Sequence, residues 1–253
     1  MFQQVLRRCR RSASSSRGRP LDFNRYKTRH IALKFSYLGE NYQGFARQKN
    51  TTETIERYLI DALVRTKLIP SIETARYNRA GRTDKGVSAF GQVVSLVVRS
   101  NVPMNAVFCD QGKTLDEFGP GDTIIPVMLP DGRKKEIREV DYCMTLNRNL
   151  PDSIVIRAWA PTPASFDARF SALYRTYRYF FAPGGLDLDR MRNGIQRLIG
   201  EHDFRYFCRM DPLVMKTFVR EIYVFRIVQE ETMSYFEVIT YGTYSSCLSC
   251  CAH

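Results

Sequence analysis

The sequence predicts an α+β chain in which two halves, each mixing strands with a helix, are built around a shared sheet. Three observations carry this expectation. Apolar residues recur at every second position in several segments, and helical spacing appears at 54–68 and again at 187–199. An irregular stretch at 101–140 parts the two patterned regions. The resulting order is strand-helix-strand, insertion, strand-strand-helix-strand-strand.

Residues 1–28 are read as a basic arm outside the fold. Met1 to Arg19 hold six arginines, four serines and no acid, and they lack the apolar centre of a secretory signal. Such a segment fits a mitochondrial transit peptide, a flexible arm that grips RNA, or an unstructured start. Order is expected from about Arg29, where Ile31, Leu33, Phe35 and Tyr37 alternate with Ala32, Lys34 and Ser36 as in a half-buried strand. Gly39 and Gly44 punctuate the next loop, and Ile55, Leu59, Ala62 and Leu63 then fall on one helical face. A glycine-flanked loop from Arg79 to Gly91 leads into a strand at Gln92–Val98, closing a first half at residues 29–100.

Residues 101–140 contain Gly-Pro-Gly at 119–121, Pro-Asp-Gly at 130–132 and a charge run from Arg133 to Glu136, and read as a surface insertion. The second half, residues 141–253, resumes with a strand at Ile154–Ala158 that Pro161 ends. In a further strand, Tyr174–Phe181, the residues Tyr177, Tyr179 and Phe181 share one side. Asp187 or Asp189 can cap a helix carrying Met191, Ile195, Leu198 and Ile199, with Gly200 as its stop. Strands at Val219–Val228 and Met233–Thr240 complete the pattern.

Composition narrows the function. With 44% hydrophobic residues among 253, the chain carries enough apolar surface to fold, and no run approaches the roughly 18 apolar residues of a bilayer span, so no membrane role is expected. Seven cysteines, three of them crowded at 247, 250 and 251, do not form a disulfide framework and suggest a reducing compartment. The net charge of +12 suits a polyanionic partner such as nucleic acid, although solubility alone would also account for it. Nine Lys/Arg against one acid, Asp22, occupy residues 1–30.

Nucleotide-binding and zinc-protease motifs are absent, and the histidines number three, at 30, 202 and 253. Cys247, Cys250, Cys251 and His253 have metal-ligand chemistry but too little chain around them to hold a site, so no metal is expected. The densest signal is Gly81-Arg82-Thr83-Asp84-Lys85-Gly86-Val87. By itself it could be a polar turn with a surface ion pair. Its position argues for more: it runs from Arg76, Arg79 and Arg82 straight into a buried strand. Two glycines allow close approach of a ligand, and flanking cations favour an ionised carboxylate, as a nucleophile requires.

Gly81–Val87 followed by Ser88-Ala89-Phe90 resembles the signature of the tRNA pseudouridine synthases of the TruA family. The details around Lys85 and Phe90-Gly91-Gln92-Val93 are most similar to the eukaryotic branch that modifies uridines 38 and 39 of tRNA. The resemblance extends through Tyr37-x-Gly39-x-x-Tyr42-x-Gly44-Phe45, Ala168–Ala172, Arg175-Thr176-Tyr177-Arg178-Tyr179 and Gly200-x-His202-Asp203-Phe204, and covers about residues 21–240. It implies the pseudouridine synthase fold: two ferredoxin- or RRM-like halves sharing a mixed, mainly antiparallel sheet with a central basic cleft.

The same resemblance implies roles. Asp84 is the expected catalytic aspartate. Arg82 is the arginine that holds the target nucleotide out of its stack and pairs with the aspartate. Tyr177 is the aromatic packed on the target base, although on strand pattern alone it reads as a core tyrosine. His202 and Asp203 are read as structural, closing a helix. The expected partner is the tRNA anticodon stem-loop, without cofactor or metal, and the family's habit suggests a homodimer. After Tyr241 the sequence departs from the family, whose next segment supplies an active-site arginine. That departure leaves a truncated, catalytically impaired tRNA-binding homologue as the alternative to an active isomerase. A generic RRM-like RNA-binding domain is a weaker third reading, since no RRM aromatic signature is present. Nucleus or cytoplasm is the expected compartment, with the mitochondrion suggested by the arginine-rich start.

Overall fold

The computed structural model describes residues 21–110, 112–207 and 217–241; the readings placed on 1–20 and on the cysteine-rich end from 242 lie outside the described residues. Order begins earlier than expected. The Asp22 carboxylate caps a 3-10 turn at Phe23–Arg25 by accepting from the Asn24 amide at 3.1 Å, and strand β1 follows at once over Tyr26–Tyr37. The basic arm therefore gives way to structure before residue 28. The period-two signal starts late because only from Arg29 onward does β1 face a core.

The first sheet has the order β2-β3-β1-β7, with β2 at Asn78–Arg79, β3 at Ala89–Pro103 and β7 at Ile154–Pro161. Every pairing is antiparallel; Ile31 faces Leu96 and Leu33 faces Val94 across β1 and β3. Helix α1, Ile55–Arg65, lays Ile55, Leu59, Ala62 and Leu63 against Ile31, Leu33, Phe35, Val94 and Leu96, all within 1% of full burial. A short helix α2, Tyr142–Asn147, capped by Asp141, adds Tyr142 edge-on to Trp159 of β7 at 4.9 Å. Residues 142–161 thus belong to the first core, not to the second half in which the sequence placed them. Alternation identifies a strand but not the strand it will pair with.

The insertion is built, not structureless. Strands β4 (Val107–Phe108), β5 (Ile124–Met128) and β6 (Lys134–Arg138) form their own antiparallel sheet over Val102, Ala106, Leu115, Phe118, Ile125, Val127 and Ile137. Two to five residues per strand are too few for a visible period, which is why sequence shows only the turn at Pro130-Asp131-Gly132. Buried Glu139 anchors its end, accepting from the Ser100 hydroxyl, from the Asn101 amide at 3.0 Å and from the Val140 amide at 2.6 Å.

The second sheet runs β8-β11-β10-β9, again antiparallel, with β8 at Tyr174–Phe181, β9 at Gly200–Asp203, β10 at Val219–Gln229 and β11 at Ser234–Tyr241. Helix α3, Leu188–Gln196, is capped by Asp187 and packs on β10; Arg197 is its C-cap, three residues before Gly200. Gly200, at φ +99°, instead opens β9, so His202 and Asp203 lie in a strand opposite Arg220 and Val219 and do not close the helix. Four residues with no alternation leave no strand signal.

The α+β class with antiparallel sheets agrees with the expectation. Each half keeps its own ladder: among the described residues no strand of the first sheet pairs with one of the second. The halves meet through side chains. The Ala168 amide donates to the buried Ser95 hydroxyl of β3 at 3.2 Å, and the Arg178 guanidinium of β8 lies 5.8 Å from the ring centre of Phe90 at the start of β3.

Candidate active site

The loop between β2 and β3 rests on a platform made by the motif at Tyr37–Phe45. Four hydrogen bonds fasten it. The Tyr37 hydroxyl and the Thr83 hydroxyl lie 2.7 Å apart, and the Phe45 amide donates to the Thr83 carbonyl at 3.0 Å. The Gly86 amide donates to the Tyr42 carbonyl at 3.2 Å, and the Gly39 amide donates to the Ser88 hydroxyl at 2.9 Å. Glycine is required where the two segments touch. A Cβ on Gly39 would lie 2.0 Å from the Val87 carbonyl oxygen, and Gly44 has φ +103° with its absent Cβ 3.2 Å from the Thr83 carbonyl oxygen. The Tyr-x-Gly-x-x-Tyr-x-Gly-Phe spacing is therefore a packing rule for the Asp84 loop.

Beneath the platform, Tyr37, Phe35 and Phe45 form a ring cluster with centroids 6.0–6.2 Å apart. Burial raises the Tyr37 phenol above its ordinary value, opposed by its bond to Thr83, so it stays protonated and able to donate. The loop's entry is pinned by charge. Buried Glu56 on α1 pairs with Arg79 and also accepts from the Arg47 amide at 2.8 Å. Arg79 thus serves structure, while Arg82 and Lys85 are exposed in the loop and Arg76 is exposed just before β2.

Asp84 lies at the exposed crest, and among the described residues its carboxylate has no hydrogen-bond or ion-pair partner. Arg82 is exposed two residues earlier and forms no ion pair with Asp84, so the expected arginine–aspartate pairing is not made in this state. A carboxylate held by backbone on both sides but free at its oxygens is suited to receive a substrate.

Tyr177 is half-buried on β8, an edge strand of the second sheet, opposite Val238 of β11. Two residues earlier on the same face, the Arg175 guanidinium donates across to the Ala80 carbonyl, at the root of the Asp84 loop, and to the Arg169 carbonyl at 3.3 Å. The strand bearing Tyr177 and the loop bearing Asp84 are thereby joined. On the opposite face of β8, Arg178 donates through Nε and Nη2 to Glu237 Oε1 at 3.2 and 3.1 Å, and Arg226 donates through Nε to Oε2 at 2.8 Å. The Arg226 bonds, with help from Arg178, hold the Glu237 carboxyl below its ordinary value. Sequence reasoning missed both Arg175 and Glu237. Glu237 had a signal, an isolated acid in an apolar strand; Arg175 had none beyond its motif.

Comparison with known proteins agrees with this architecture. The family described as "tRNA pseudouridine synthase" matches residues 195–243. The chain is 45% identical over 205 residues to the tRNA pseudouridine(38/39) synthase of Bos taurus, covering 80% of this chain and 39% of that protein. It is 39% identical over 206 residues to the protein of the same name from Saccharomyces cerevisiae, covering 79% and 41%. An archaeal relative, tRNA pseudouridine synthase A of Methanothrix thermoacetophila, is 33% identical over 177 residues, 70% of this chain and 51% of the relative. The chain belongs to the TruA family of tRNA pseudouridine synthases. It spans about two fifths of the length of the mammalian and yeast relatives it matches.

Proposed function

We propose that this protein is an isomerase that converts uridine to pseudouridine in the anticodon stem-loop of tRNA, at positions 38 and 39, with Asp84 as the catalytic carboxylate. The reading rests on the names of the matched relatives and on one structural observation above all: the Asp84 oxygens are unpaired on a loop that four hydrogen bonds fasten to its platform.

The reaction breaks the N1–C1′ bond, turns the uracil and joins C5 to C1′; the C5 proton leaves to solvent and N1 regains a proton, with no oxidant or reductant. Asp84 engages the ribose, at C1′ or by promoting loss of the 2′ proton. A flipped uridine must be held while it turns. Stacking on an aromatic ring, worth about 1–3 kcal/mol per base, holds without fixing one orientation, which is the role proposed for Tyr177. Arg82, unpaired with Asp84 here, is free to occupy the space the uridine vacates. Exposed Arg76, Lys85 and Arg169 supply phosphate contacts that offset unstacking. Assembly as a homodimer on one tRNA is part of the same proposal.

The test is release of tritium from tRNA carrying [5-3H]uridine, followed by mapping of the modified positions. Release at 38 and 39 by the full chain, lost in Asp84→Asn, supports the reading; tRNA binding without release overturns it.

A further inference from the structure

Beyond the residues that meet the substrate, the two halves of the site must be kept in register, and the contacts between them single out one side chain. Arg175 leaves β8 on the same face as Tyr177 and reaches the Ala80 carbonyl, four residues before Asp84. Ala80 is itself fixed to the first sheet, its amide donating to the Val93 carbonyl of β3 at 2.9 Å. The same guanidinium contacts the Arg169 carbonyl, in the segment whose neighbour Ala168 bonds to Ser95 of β3. Burial lowers the Arg175 pKa; the nearby Tyr177 phenol opposes this and the Arg169 charge adds to it. Its Nε and Nη1 are buried and make no hydrogen bond.

A guanidinium kept half-buried, with two donors unsatisfied, is costly unless the bond it does make matters. A surface polar group could have been put there at lower cost. We infer that Arg175 is a positioning residue, a strut from β8 to the root of the 81–88 loop that sets the distance between Tyr177 and Asp84 across the two halves. This rests on the proposed isomerase activity, but its physical core, loop fixation, does not. Lysine, a compact ammonium on a flexible stem, replaces the charge but not the planar fork, and glutamine replaces neither.

The experiment compares full-length wild type, Arg175→Lys and Arg175→Gln in two measurements. In amide hydrogen exchange, Arg175→Gln is expected to speed exchange across 80–88 by tenfold or more, while β1 and β3 amides keep wild-type protection and Arg175→Lys lies between. In tritium release, kcat is expected to fall at least tenfold in Arg175→Gln with KM for tRNA within twofold, and Arg175→Lys to recover part of the loss. Loop exchange unchanged in Arg175→Gln overturns the inference, whether or not the chain turns over. Wild-type kcat in Arg175→Gln, in a protein whose activity still depends on Asp84, overturns it too. Absence of activity in wild type counts against the isomerase reading alone, leaving the exchange result to decide the strut.

Discussion

At Gly39 the geometry permits no side chain, because a Cβ there would overlap the Val87 carbonyl oxygen at 2.0 Å. Gly39→Ala must push the Asp84 loop off its platform or distort the end of β1. Overpacking of this kind costs on the order of 1–3 kcal/mol. The expected outcome is a fall in denaturation midpoint of that size together with loss of turnover exceeding what the stability change explains. A variant with wild-type midpoint and wild-type activity contradicts the packing rule. The motif around Gly39 was legible in sequence, but its purpose was not: spacing reports that two glycines matter, and only the fold brings Val87 and Thr83 against them. Asp84 and Tyr177 were likewise legible as candidates through resemblance, whereas Arg175 was not, because its function lies in reaching a carbonyl 95 positions away.

Among the elements, β8 is the most informative. It was read correctly to the residue at Tyr174–Phe181, since eight residues with strong β-propensity leave little ambiguity. Short elements such as β9 and the strands of the insertion escaped, as did the pairing of β7 with β1, because these depend on partners distant in sequence. On the face of β8 that bears Arg178, side chains tie β8 to β11 and β10 through Glu237, 4% exposed and held by two forked arginines. Since its folded pKa is depressed, the stability it contributes is present above the ordinary glutamate value of about 4.3 and is lost as pH falls towards the folded value. Glu237→Gln should therefore lower stability near pH 7 by about 1–2 kcal/mol, a figure discounted because Arg178 and Arg226 are partly exposed, and should flatten the acid limb of the stability profile. Parallel acid limbs in variant and wild type, followed by chemical denaturation, would show that the clamp is not coupled to folding.

For the whole molecule, the excess of 12 positive charges and the exposed cations around the Asp84 loop predict that tRNA binding weakens steeply with salt. A plot of log affinity against log salt should fall with a slope near 0.7–0.9 per phosphate neutralised, several phosphates in all, and lysine or arginine removal at 76, 82 or 85 should reduce that slope by about one each. A flat plot contradicts a backbone-reading surface. The α+β class was legible from sequence because it is a sum over many residues; the two separate ladders and their side-chain contacts were not, because no local pattern encodes them. The account as a whole depends on the free carboxylate of Asp84. Its most direct test is single-turnover tritium release from tRNA by wild type and Asp84→Asn, each at saturating protein with the binding constant measured alongside. The account predicts equal binding within a few fold and a rate reduced by at least a thousandfold in the variant. A variant that binds equally and releases tritium at a rate near wild type would contradict it.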